Sequence, residues 1–188
     1  MYMTETGTID WENNYFQIHG EPKNLKIDQK ILGAVVAPYY YHNNQKRFVL
    51  INIQRKDGEK HYEFPRGFCK PLEDFKDTAK RELKEETNLN AKSVNYLGLV
   101  MPDSGLLSSK IRLYSAEVTE DDIAHIRLQK SEKISGVTIL SLDELKEKIR
   151  KDVIVDGYTI ACAMHIDDQN DIKRISSNVT VADSISEM

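Results

Sequence analysis

The chain has only two cysteines, Cys69 and Cys162, no long apolar run, no excess of basic charge and no internal repeat. Each shortage excludes a class of protein. Two cysteines cannot build a disulfide framework, and these two lack the spacing of a zinc site. No apolar run approaches the ~20 residues needed to cross a bilayer. The polar start, MYMTETGTIDWENN, lacks a basic segment followed by an apolar one, so no secretory signal is expected in it. A net charge of −4 provides no basic field to attract a nucleic-acid backbone. The histidines, His19, His42, His61, His125 and His165, show no metal-ligand spacing. These absences lead to the expectation of a reduced, cytoplasmic setting with neither membrane nor nucleic acid as partner. What remains, 188 residues at 40% hydrophobic and 30% charged, is enough for one ordinary core beneath a solvated surface.

Short apolar runs mark the strands. Ile31 to Ala37 and Phe48 to Ile53 read as buried strands, with an Asp57-Gly58 turn and a short strand from His61 to Phe64 after them. Val94 to Val100, Ile111 to Val118 and Gly136 to Leu140 supply three more. In the second of these Ile111, Leu113 and Ser115 alternate with Arg112, Tyr114 and Ala116, so Arg112 is expected to be exposed. The run Tyr39-Tyr40-Tyr41 fits strand packing better than base stacking, since consecutive strand residues point to opposite faces. Ser141 is a good N-cap for a helix from Leu142 to Arg150, and Gly157 to Ile166 reads as a further helix. Tyr15, Phe16 and Ile18 point to one strand before the Gly20–Pro22 break. Strands interleaved with helices predict an α/β domain over 31–166, an N-terminal extension over 1–30 and a polar C-terminal tail over 167–188.

One segment carries chemistry. From Gly67 to Leu89 the chain reads GFCKPLEDFKDTAKRELKEETNL. Asp74 is a plausible N-cap, and Phe75, Ala79 and Leu83 recur every four residues as one core-facing stripe. Glu82 shares a helix face with both Glu85 and Glu86. Like charges at that spacing cost roughly 0.2–0.5 kcal/mol per pair on an exposed helix. Taken alone, the segment is a solvated helix with alternating charge, helped by Asp77–Arg81 and Arg81–Glu85 pairs. A second reading is a hard-cation site, because carboxylate oxygens together with water and phosphate suit Mg²⁺. On that reading Arg81 would hold Glu73 or Glu85 in place. Gly67 is taken to permit a tight bend, and Cys69 is taken as a structural thiol.

The offsets decide between the two. Gly67, Glu73, Arg81, Glu82, Leu83, Glu85, Glu86 and Leu89 fit Gly-x5-Glu-x7-Arg-Glu-U-x-Glu-Glu-x-Gly-U, where U is bulky and apolar. The segment thus resembles the signature of the Nudix hydrolases. Asn88 replaces the family's last glycine, and Asn is the best non-glycine occupant of a left-handed helix terminus. The resemblance implies the Nudix fold, a mixed β-sheet sandwiched between helices. It also implies Mg²⁺- or Mn²⁺-dependent hydrolysis of a nucleoside diphosphate linked to another moiety. Glu82 and Glu86 would then be the principal metal ligands, with Glu85 as a third ligand or catalytic helper and the backbone carbonyl of Arg66 completing the site. Further segments look like the ADP-ribose and ADP-sugar branch: Gln54-Arg55, Glu63-Phe64-Pro65-Arg66-Gly67, Pro102-Asp103-Ser104-Gly105, Ser131-Glu132-Lys133-Ile134 and Asp156 to Ala161. That likeness implies Arg55, Glu63, Ser104 and Gly105 as substrate-binding residues, Glu132 as a catalytic base, and a homodimer built through residues 1–30. Nucleoside triphosphates, dinucleoside polyphosphates and a non-catalytic nucleotide-sensing role stand as alternatives.

Overall fold

The computed structural model describes residues 2–3, 9–21, 24–129 and 133–167. Its centre is a seven-stranded sheet. Five strands run side by side in the order β11 (Ile134–Leu140), β6 (Gln45–Gln54), β5 (Gly33–His42), β10 (Ile111–Glu117) and β9 (Ser93–Val100). Only the β5–β10 pairing within this sheet is parallel. Asn43 and Asn44, both at positive φ, turn β5 back into β6. That is the side-chain chemistry a two-residue hairpin needs.

β5 and β6 pair only near this hairpin, from Tyr39–Phe48 to His42–Gln45. Beyond it they separate, and the next stretch of chain fills the gap. β7 (Lys60–Glu63) pairs with the far end of β6, and β8 (Arg66–Phe68) pairs with the first residues of β5. This divergence brings Arg55, Glu63, Arg66 and Gly67 to one place.

Helices cover both faces, as a mixed sheet with two apolar surfaces requires. One face gathers Val35, Ala37, Phe48, Leu50 and Leu113 under Leu145 of α3 (Leu142–Arg150) and Cys162, Ala163 and Ile166 of α4 (residues 157–167). The other gathers Ala34, Val36, Val49 and Ala116 under Ala79 and Leu83 of α1 (Phe75–Thr87). The short α2 (Glu120–Ile123), capped by Thr119, lies between β10 and the loop to β11. Tyr39 and Tyr40 enter opposite cores, so the aromatic run is packing, with Tyr41 left about half exposed.

The expected caps are present. Asp74 accepts from the Asp77 amide, Asn88 ends α1 at φ 63°, and Ser141 forms a reciprocal capping box with Glu144. The structure differs from the sequence reading elsewhere. β10 is buried on both faces because it lies inside the sheet, and Arg112 is half-buried with its guanidinium 3.7 Å from the centre of the Phe75 ring. Residues 1–30 form more than one strand. β1 (Tyr2–Met3), β2 (Ile9–Glu12), β3 (Phe16–Glu21) and β4 (Asn24–Gln29) make a separate antiparallel sheet. Ile27 ties this sheet to the loop after β9, donating to the Leu106 carbonyl and accepting from Ser108. The proposed tail beyond Asp167 lies outside the described residues.

Leu72 is fully exposed and sits at φ 66° in the loop before α1. A leucine gains nothing there and bears the steric penalty of the left-handed region, roughly 1 kcal/mol. Leu72→Gly is therefore expected to raise unfolding stability by about 0.5–1 kcal/mol, read as a higher urea midpoint with an unchanged slope.

Candidate active site

A cleft of about 650 Å³ opens where β5 and β6 diverge. Its floor includes Gly33, Ala34 and Val35 of β5. Its walls include Arg66, Gly67 and Phe68 of β8 and the acidic residues Glu82, Glu85 and Glu86 of α1. Arg55, Lys70 and Tyr158 also line it, as do Tyr15, Phe16 and Gln29 from the N-terminal sheet. Tyr15 stacks on Phe68 with centroids 5.1 Å apart, which joins that sheet to the rim.

Arg81 organises the acidic wall. Its Nε and Nη2 donate to the two oxygens of Glu73 at 2.8 and 2.9 Å, a forked pairing. Nη1 donates to Glu82 Oε1 at 2.5 Å and to Glu85 Oε2 at 2.9 Å, and Nη2 also reaches the Phe68 carbonyl at 2.8 Å. One guanidinium thus holds three carboxylates and the strand opposite them. The Arg81 hydrogen bonds also lower the Glu73 pKa to about 2, with the Lys70 amide and the Thr78 hydroxyl assisting. Asp77 pairs with Lys80 instead of with Arg81.

Glu85, on the exposed side, also receives Lys70 Nζ at 3.3 Å. Glu82 and Glu86 are buried, at 9% and 5% exposure, although both line the cleft. Glu82 follows Ala79 by three positions and Glu86 follows Leu83 by three, so both lie beside that buried stripe of α1. Gly67 explains how Glu82 fits. A Cβ at this position would overlap the Glu82 carboxylate, and Gly67 is not in the left-handed region. The glycine is needed for space beside an acid, which corrects the expectation of a tight bend. Gly67→Ala is expected to push Glu82 out of place and weaken Mn²⁺ binding at least about tenfold, measured by paramagnetic resonance of the free ion.

Two buried carboxylates, Glu82 and Glu86, with Glu85 beside them offer hard-oxygen donors. They suit a cation that takes a few protein ligands and leaves the remaining positions to water and phosphate. Among the described residues, no three His, Cys, Asp or Glu side chains close into a finished cage. The chemistry of the donors fits a divalent ion completed by its substrate.

The cleft lining also carries cationic groups. Arg55 donates through Nε to Glu63 Oε1 at 2.9 Å and through Nη2 to Oε2. Arg66 Nη2 lies 2.9 Å from the same Oε2, and its Nη1 donates to Asp156 Oδ1 at 2.6 Å. The pairing raises the Arg55 pKa, first through its hydrogen bonds to Glu63. Glu63, at 2% exposure, does not line the cleft but holds two arginines from behind.

Ser104 and Gly105 are exposed at a turn braced by Asp103, and Leu107 lines the cleft in their place. Glu132 lies outside the described residues. Cys69 lines the cleft half-buried, whereas Cys162 is fully buried and burial raises its thiol pKa. Asp156, Thr159 and Tyr158 were not singled out as site residues from sequence. An Asp three residues before a Thr at a helix start was the available signal.

Fold and cleft together define an α/β sandwich whose cleft is lined by an acidic helix and by arginines from the β6–β8 region. Residues 33–160 match the NUDIX domain family, so the chain belongs to that family. Family membership supports hydrolysis at a pyrophosphate bond, a small-molecule nucleotide as substrate and a divalent metal such as Mg²⁺. The chain is also similar to a protein named methanol dehydrogenase activator from Bacillus methanolicus. The two are 28% identical over 131 residues, covering 69% of this chain and 70% of that protein. No helix among the described residues is long and apolar enough to cross a membrane.

Proposed function

We propose that this protein is a Mg²⁺- or Mn²⁺-dependent pyrophosphohydrolase of nucleoside diphosphates joined to another moiety, acting on ADP-ribose or a related nucleotide sugar in the cytoplasm. The observation that carries this reading is that both charges line one cleft: Glu82, Glu85 and Glu86 of α1 together with Arg55, Arg66 and Lys70. An anionic diphosphate needs both halves. The bound metal supplies charge neutralisation and an acidified water. Glu82 and Glu86 hold it, with Glu85 and the Arg66 carbonyl beside them. Arg81 keeps Glu82 and Glu85 in place, and Arg55 grips phosphate oxygens through its remaining donors. Glu132, or Glu85, takes the proton from the attacking water.

The aromatic rim of Tyr15 and Phe68 supports a nucleotide with a flat base, and so the ADP-ribose assignment. No described side chain in 10–30 is fully buried, and Trp11 and Tyr15 are exposed at 37% and 45%. That uncovered sheet supports a homodimer, and light scattering giving twice the chain mass checks it. The test of the activity is incubation with Mg²⁺ and ADP-ribose. AMP and ribose 5-phosphate are the expected products. Turnover only of nucleoside triphosphates or dinucleoside polyphosphates would move the assignment within the family.

A second reading is a regulatory module that binds a nucleotide without cleaving it. The activator named among its relatives favours this reading, and binding of ADP-ribose without product would establish it.

A further inference from the structure

The group behind the cationic wall is more elaborate than a hydrolase's acidic helix requires. Glu63 is buried beneath two guanidiniums, and its Oε2 is shared by Arg55 and Arg66. Asp156 gives Oδ1 to Arg66, while its Oδ2 accepts from the amide and hydroxyl of Thr159 at 2.9 and 2.8 Å. Thr159 Oγ1 in turn accepts from the Phe64 amide at 3.0 Å. Tyr158 lies under the Arg66 guanidinium, 4.7 Å from ring centre to Cζ. The start of α4 is thereby welded to the segment that leads into Gly67.

The four charges balance, but they are not symmetrically placed. The acids lie behind, with side-chain exposures of 2% for Glu63 and 10% for Asp156. The arginines lie in front, at 36% and 24%, and both line the cleft. Each guanidinium has five N–H donors, more than these carboxylate oxygens can accept. The bonds to Glu63 and Asp156 engage two nitrogens of each guanidinium, and both arginines line the cleft. Burying a carboxylate beneath two forks is costly as a purely stabilising device. It does fix the spacing and aim of both forks before anything binds.

We propose that the Arg66 side chain is the second arm of a diphosphate clamp with Arg55, and that Asp156 is the residue that positions it. This rests on the proposed nucleoside-diphosphate substrate and gives the side chain of Arg66 a role separate from its backbone carbonyl. A clamp of this kind acts without the metal, which makes it separable from the acidic wall.

The test is calorimetric binding of ADP and of inorganic pyrophosphate in EDTA, followed by steady-state kinetics with Mg²⁺. Wild type binds both ligands. Arg66→Met weakens binding by about tenfold to a hundredfold, the loss expected for charge-assisted hydrogen bonds. Arg66→Lys keeps the charge and the packing but loses the fork, so it folds and is still weakened. Asp156→Asn keeps a competent helix cap, yet raises KM for the nucleotide more than it lowers kcat. A purely structural weld would lower the melting temperature of these variants and leave KM unchanged.

Folded Arg66→Lys with wild-type ADP affinity overturns the clamp, as does a wild type that binds neither ligand in EDTA. Hydrolysis that survives Arg66→Met with unchanged KM removes the clamp and leaves the hydrolase standing. Arg66-dependent ADP binding with no hydrolysis of any nucleotide does the reverse.

Discussion

Glu86→Gln lowers turnover by roughly 10²–10³, the scale of removing one group that stabilises developing charge, while the protein becomes no less stable. The two expectations have one cause. Glu86 and Glu82 are i,i+4 neighbours on α1, both nearly buried and both carboxylic acids lining the cleft. The amide keeps the shape of the carboxylate and removes the repulsion with Glu82, which offsets the attraction to Arg55 that it gives up. Activity therefore falls while stability stays nearly constant. A merely structural glutamate would show a fall in stability with turnover intact, so denaturant midpoints and kcat measured on the same preparation separate the two.

Arg81→Met has the larger effect on the fold. Methionine replaces the apolar stem but not the fork that holds Glu73, Glu82, Glu85 and the Phe68 carbonyl. Three carboxylates then crowd the end of the cleft without their common counter-charge, and a loss of about 2–4 kcal/mol follows. The pH dependence changes as well. Glu73 titrates near 2 in the folded protein against an ordinary 4.5. Between those values the unfolded chain binds the extra proton, so the stability from this pair is full above about pH 5 and drains away as pH falls toward 2. In Arg81→Met that acid limb flattens, because Glu73 loses the main cause of its shift. Urea midpoints between pH 2.5 and 6 provide the measurement. An acid limb equally steep in the variant would show that Arg81 is not what holds Glu73 ionised.

Local signals were legible in the sequence and non-local ones were not. Asp74, Asn88 and Ser141 marked helix ends correctly because a cap is decided by a few neighbouring backbone groups. The stripe Phe75, Ala79, Leu83 located the buried face of α1 for the same reason. β8 was missed: three residues around a glycine carry no period, and they are a strand only because β5 and β6 part and leave a gap. β4 did show alternation at Leu25 and Ile27, a signal that was there to be read.

At the site, the acidic spacing pointed to Glu82, Glu85 and Glu86 lining one cleft. It could not show that Glu63 lies behind the arginines, since that depends on β7 pairing with the far end of β6. Nor could it connect Arg66 to Asp156, ninety positions away and joined only through the packing of α4. The reason for Gly67 was likewise hidden. The constraint comes from Glu82, a side chain on another element.

The central claim is that the acidic wall of α1 seats a divalent ion. Titration of Mn²⁺ into the protein, with the free ion followed by paramagnetic resonance and ADP present, tests it most directly. Wild type is expected to show saturable loss of the free-ion signal, nearly abolished in the Glu82→Gln, Glu86→Gln double variant. A wild-type protein that leaves the Mn²⁺ signal unchanged, or a double variant that binds as tightly as wild type, would contradict it.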